Sequence, residues 1–162
     1  MRASGAKVVF VGPHNSGKTR FVQRLTQIAT DDGMRVGVIK RAARPLQLDA
    51  SGKDSYLFAR AGAARVVTSG PGVLFMQESE QEYPGAKTLM RRFGAGMDLW
   101  FMESYVPEPL AWVRIARPGQ TAPAPDRFCV ATIGDRVKGY DRPHFRLDRP
   151  RSVLKFILEL QP

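Results

Sequence analysis

Residues 8–19 read Val8-Val9-Phe10-Val11-Gly12-Pro13-His14-Asn15-Ser16-Gly17-Lys18-Thr19, an apolar tract that runs straight into a loop bounded by glycines. The tract, counted from Ala6 to Val11, has the uninterrupted hydrophobicity of a parallel strand buried on both faces. The loop has the form G-x-x-x-x-G-K-[ST]. At average composition such a match arises by chance in a chain of this length with probability on the order of 1%. The motif requires a strand before it and a helix after it. A helix follows by pattern, because Phe21, Val22, Leu25 and Ile28 recur at helical spacing until Asp31-Asp32-Gly33 stops them.

This context predicts an anion site. Glycines let the backbone curl so that successive N–H groups point inward, and the helix N-terminus adds positive potential. The expected phosphate site is therefore Gly12, Pro13, His14, Asn15, Ser16, Gly17, Lys18 and Thr19, with Arg20 directly after it. His14 is expected to act through its backbone N–H rather than its ring. Lys18 would reach the β- and γ-phosphates, and the Thr19 hydroxyl would serve Mg²⁺, which binds mainly through substrate phosphates and a nearby carboxylate.

The stretch Asp98-Leu99-Trp100-Phe101-Met102-Glu103 reads as a buried strand ending in that acid. Strand residues advance about 3.3 Å each, so Asp98 should stand away from the phosphates while Glu103 faces Thr19. Lys18 and Glu103 are thus the catalytic candidates, and Thr19 and Glu103 the metal candidates. Lys40, Arg41 and Arg44 follow the second strand, Arg35 to Lys40, and should face the same edge. They could neutralise phosphate charge or clamp a second anionic substrate; a solvated loop is the alternative.

Outward from the loop, strands alternate with helices. A loop over residues 41 to 52 precedes a helix from Asp54 to Ala61, which Gly62 ends. Arg65 to Ser69 and Val73 to Gln77 flank Gly70-Pro71-Gly72 as a hairpin. A helix over Lys87 to Phe93 precedes the strand that ends in Glu103. Two more strands, Ala111 to Ala116 and Phe128 to Ile133, are separated by the proline-bearing linker Arg117 to Arg127, and a helix over about 150–160 closes the chain. The pattern predicts an α/β fold of P-loop NTPase type, a mostly parallel twisted sheet with helices on both faces plus a short hairpin. One domain is expected, with its core over about 6–135. Gly12, Lys40, Ser69, Glu103 and Gly134-Asp135 should then gather along one sheet edge.

The chain has 162 residues, 43% of them hydrophobic, enough for one sizeable core without disulfides or a structural metal. Its single cysteine, Cys129, lies in an apolar run, so no internal disulfide can form and a reducing compartment is expected. No apolar run is long enough for a signal core or a membrane span, so a cytoplasmic protein without a membrane partner is expected. The 25 Lys and Arg against 15 Asp and Glu give a net charge of +10 and predict attraction to polyanions. An arginine-rich genome would give the same balance, and the basic residues are scattered rather than gathered, so nucleic acid is not the expected partner.

Taken with Arg35 to Lys40, Asp49-x-x-Gly52-Lys53-Asp54-Ser55, Ala61-Gly62-Ala63 and the strand from Asp98 to Glu103, the loop resembles the molybdopterin-guanine dinucleotide biosynthesis protein B family over about residues 6 to 135. P-loop proteins in general do not share the block from Gly52 to Ala63. The resemblance implies a GTP-binding homodimer with feeble hydrolysis of its own. It also implies an accessory role beside a separate nucleotidyltransferase that attaches a guanine nucleotide to the molybdenum cofactor, with molybdopterin as a further ligand. It adds Asp49 and Lys53 to the binding candidates.

This chain departs from its relatives at Arg41, Ala43 and Arg44, at Ser104-Tyr105-Val106 after the acid, and at Trp112 where they carry lysine. There is no Asn-Lys-x-Asp signature for guanine, so GTP over ATP rests on the resemblance alone. Asp135, after the late strand, is a candidate base contact, with a simple turn as its alternative. Two other functions share these features: a P-loop kinase of a small anionic substrate, and a basic nucleic-acid binder switched by nucleotide.

Overall fold

The computed structural model describes residues 5–42, 52–79 and 84–160, so Ala43, Arg44 and Asp49 lie outside the described residues. The described residues fall into two compact units, the first holding 5–42 and 85–160 and the second 52–79 with Pro84.

The first unit is built on a six-stranded sheet. Its strands are β1 (Ala6–Val11), β2 (Val36–Lys40), β3 (Leu99–Ser104), β4 (Trp112–Ala116), β5 (Cys129–Gly134) and β6 (His144–Phe145), in the spatial order β2-β3-β1-β4-β5-β6 with every neighbouring pair parallel. The mostly parallel α/β architecture expected from the sequence is observed. Burial explains why β1 shows no alternation: Val8 and Phe10 enter one apolar cluster while Val9 and Val11 enter another.

The first cluster takes Phe21, Val22, Leu25 and Ala29 from helix α1 (Lys18–Asp31) and Val153, Leu154 and Ile157 from helix α2 (Pro150–Glu159). The second takes Ala86 and Met90 from helix α3 (Ala86–Phe93) against Trp100, Met102 and Trp112. Both faces of the central strands are thereby covered, while Val38 on the edge strand β2 stays half exposed. The linker from 117 to 127 carries no helix or strand before β5 begins. Strand β6 is an addition to the sequence reading, since two residues are too short for any period to show.

The second unit holds a short helix, α4 (Asp54–Arg60), and an antiparallel hairpin, β7 (Arg65–Gly70) and β8 (Val73–Glu78). Pro71-Gly72 makes its turn, with Gly72 at φ 74, the left-handed value that favours glycine. Ser69 lies within this separate two-stranded sheet, paired with Leu74, and so does not end a strand of the six-stranded sheet as the strand count had suggested. The hairpin itself was expected; setting Ser69 with the other strand ends assumed that its first strand joins the main sheet, and the pairing of a strand is not written in its own residues.

Gly37 in β2 marks one tight point of the main sheet, because a Cβ there would stand 2.6 Å from three atoms of the Trp100 ring. Gly37→Ala is expected to destabilise the fold by about 1–3 kcal/mol, measured as a lowered midpoint in urea unfolding followed by tryptophan fluorescence.

Candidate functional site

Strand β1 ends at Val11, and the chain then turns through residues 12–17 into α1. Gly12 begins that turn because nothing larger fits: a Cβ would lie 1.9 Å from the carbonyl oxygen of Ile115 in β4. Asn15 sits at φ 57 and Gly17 at φ 96, Asn15 being the one non-glycine with positive φ among the described residues. Left-handed residues so close together turn backbone N–H groups into a shared concavity, and Gly17 is itself the cap at the start of α1.

Around this turn lies a cavity of about 420 Å³ lined by His14, Asn15, Ser16, Gly17, Lys18, Thr19, Arg20, Lys40, Glu103, Tyr105 and Arg117. Lys18 is almost fully buried, and its ammonium donates to the carbonyls of Gly12 and Pro13 at 2.7 Å each. An ammonium has three donors, so one remains for a ligand. The face of the Tyr105 ring lies 4.6 Å from the same nitrogen. Burial pulls Lys18 below the usual lysine range and Lys40 adds to this, while the charge of Glu103 opposes both. An incoming anion would relieve that cost.

Glu103 is buried at the carboxyl end of β3, and the Thr19 hydroxyl donates to its two oxygens at 2.9 Å each. Asp98 stands at the other end of that segment, where its carboxylate accepts from the backbone N–H of Arg35 at 2.8 Å. The parallel register that sets Lys40 beside Glu103 brings the end of β2 to the same place. A hydroxyl and a carboxylate are hard oxygen donors of the kind Mg²⁺ takes. Ser16 adds a fit test of its own: its Oγ is fully buried and has no hydrogen-bond partner among the described residues. A native structure rarely leaves such an atom idle, and a loop that receives phosphate oxygens would satisfy it.

Other expected residues lie elsewhere. Arg41 turns away from the cavity and forms a buried ion pair with Glu108, whose other oxygen accepts from the Ala86 N–H at the start of α3. The side chain that sequence reading offered as a phosphate clamp thus ties β2 to the segment after β3. Asp135 does not line the cavity either. Its carboxylate faces buried Arg114 at 3.7 Å, and Arg114 also donates to the Asp135 carbonyl at 3.4 Å and to Pro123 O at 3.3 Å. Lys53 belongs to the second unit, at the start of α4, beside a separate hollow lined also by Phe58, Val66 and Thr68. Trp112 is fully buried, and its indole donates to Asp126 at 2.8 Å, so the position at which the family resemblance implied a lysine is a core position here.

Two lining residues were not assigned to the site from sequence. Tyr105 packs its ring on His14 with centroids 4.6 Å apart. Arg117 directly follows β4, and its place just past a strand end was the same signal that singled out Lys40.

The sequence profile of the molybdopterin guanine dinucleotide synthesis protein B family matches residues 7–135. The molybdopterin-guanine dinucleotide biosynthesis adapter protein of Haemophilus influenzae is 26% identical over 149 residues, 90% of this chain and 84% of that one. The adapter protein of the same description from Escherichia coli is 27% identical over 159 residues, 94% and 91% of the two chains. In fold, the crystal structure of Bacillus subtilis MobB superposes with a TM-score of 0.73 at 23% identity, covering 96% of this chain and 98% of that one.

Breaking the Arg41–Glu108 pair should leave a buried charge without its partner. Arg41→Ala is expected to lower stability by about 3 kcal/mol in guanidinium unfolding, and the double variant with Glu108→Ala should recover part of that loss.

Proposed function

The chain belongs to the molybdopterin guanine dinucleotide synthesis protein B family, and from that membership we propose that it is a GTP-binding adapter for attaching a guanine nucleotide to the molybdenum cofactor. The observation that carries this reading is the convergence of the α1 N-terminus, the Lys18 ammonium and the Thr19–Glu103 pair on one cavity. The adapter role is supported by the similarity to relatives described as adapter proteins over nearly their whole length.

Within this reading each residue has a task. Backbone N–H groups of the loop and the remaining Lys18 donor hold the phosphates, and Lys40 and Arg20 add positive charge at the rim. Thr19 and Glu103 would hold Mg²⁺, which would neutralise phosphate charge when bound. Hydrolysis by the chain alone should be feeble. Glu103 is the one carboxylate among the described lining residues, and Thr19 already engages it, so none is left to orient a water. A nucleotidyltransferase is the partner this role requires, with molybdopterin as the further ligand. Exposed Leu57, Phe58, Val67, Val73 and Leu74 in the second unit support a homodimer, since a soluble chain rarely leaves so many large apolar side chains in water. A reducing, cytoplasmic setting follows from the same role.

Titration calorimetry with GTP and magnesium tests the site. Lys18→Ala is expected to abolish measurable binding; unchanged affinity would remove the assigned phosphate site. Glu103→Gln should retain nucleotide but raise the magnesium concentration needed for half-maximal binding about tenfold, in line with the loss of one charged ligand.

A further inference from the structure

We propose that Arg117 is a direct ligand of the polyphosphate chain, gripping it from the side of the loop opposite Thr19 and Glu103. The proposal rests on the nucleotide reading above and extends it to a residue and a side of the ligand.

Sheet order supplies the geometry. Strand β1 runs between β3 and β4, so the ends of those two strands flank the turn that follows β1. Glu103 stands at one flank and Arg117, the first residue past β4, at the other. A Cβ built on Gly17 would come within 3.9 Å of Arg117 Nη2, which places the guanidinium beside the residue that caps α1. It shares the cavity lining with Lys18, Arg20 and Lys40.

Arg117 also differs from the other arginines near this edge. The guanidinium groups of Arg41 and Arg114 are buried against Glu108 and Asp135. Among the described residues no carboxylate pairs with Arg117, although the backbone that carries it is firmly placed. The Arg117 N–H donates to Gln120 Oε1 at 3.0 Å, and Gln120 Nε2 donates to the carbonyl of His14 at 3.2 Å. One glutamine amide therefore fastens the linker to the phosphate loop without using the arginine side chain. What results is a planar five-donor cation, held at the mouth of an anion site and open to a ligand.

The flank decides which oxygens it meets. Thr19 and Glu103 would hold Mg²⁺ on one flank of the loop, so a guanidinium on the other flank would meet the phosphates from the side those residues do not reach. The backbone N–H groups of the loop would cradle the phosphates common to di- and triphosphates, and the guanidinium stands beside Gly17 of that loop, so its contact would outlast the γ-phosphate. Arg117 should therefore recognise nucleoside diphosphates as well as triphosphates.

The full chain is titrated with GTP and with GDP, each with magnesium. Arg117→Ala is expected to weaken both by about tenfold, as loss of a charge-assisted bidentate contact would. Arg117→Lys should recover part of the affinity, since it restores the charge but not the fork. The tether uses backbone and Gln120 atoms, so the melting temperature should stay at the wild-type value. Should Arg117→Ala lose its fold, Arg117→Gln gives the same readout. Wild-type affinity for both nucleotides in a folded variant overturns the proposal, and a loss confined to GTP overturns the assigned flank. A wild-type chain that binds neither nucleotide, or a Lys18→Ala chain that binds normally, defeats the phosphate-site reading instead, so the two failures are told apart.

Discussion

Gly12 meets the carbonyl of Ile115 so closely that no side chain could stand between them, and the rest of the site depends on that contact. It fixes the point where β1 stops and the loop begins, against a strand that belongs to a distant part of the sequence. Because β1 is clamped by β3 on one side and β4 on the other, the loop opens upward between two strand ends. One end delivers a carboxylate and the other an arginine. A looser approach of β4 would let the loop relax, and its inward-facing N–H groups would lose their common focus.

The charge arrangement follows from this confinement. Desolvation disfavours the Lys18 ammonium, and the loop offers it two of its own carbonyls while Tyr105, just past β3, offers an aromatic face in partial compensation. Thr19 and Glu103 satisfy each other in the same way. Only Ser16 Oγ is buried there without a partner among the described residues. The site is thus preorganised through internal contacts that resemble those a phosphate and a metal would make, which keeps the reorganisation on binding small. Ion pairs a short way off do a different job. Arg41–Glu108 and Arg114–Asp135 fix the segments that border the cavity, and their charges are already compensated within the fold.

Sequence reading succeeded where a local physical rule decides. Phosphate loops need glycine at set positions, amphipathic helices show a period, and a strand buried on both faces reads as an unbroken apolar run, so β1, α1 and the loop were legible from residues 6 to 31 alone. The position of Glu103 beside Thr19, with Asp98 at the other end of the segment, was legible because strand rise separates the two acids by most of the sheet height. Arg41 was misjudged for the opposite reason. Its neighbour Lys40 does line the cavity, but the direction of residue 41 is set by Glu108, a partner 67 positions away along the chain. Ser69 was placed on the wrong sheet because a strand's partners are not written in the strand.

What the sequence by itself determined is the glycine-bounded loop between β1 and α1, the order of its flanking elements and the end of β3 at which Glu103 stands, since each rests on spacing within one short segment. Tertiary structure alone decided which cations face the cavity, that Trp112 and Asp135 are drawn into packing and pairing, and that Tyr105 and Arg117 border the loop. The physical reason is the parallel sheet. Its crossovers bring together strand ends far apart in the chain, and side-chain direction there depends on partners that no local pattern encodes.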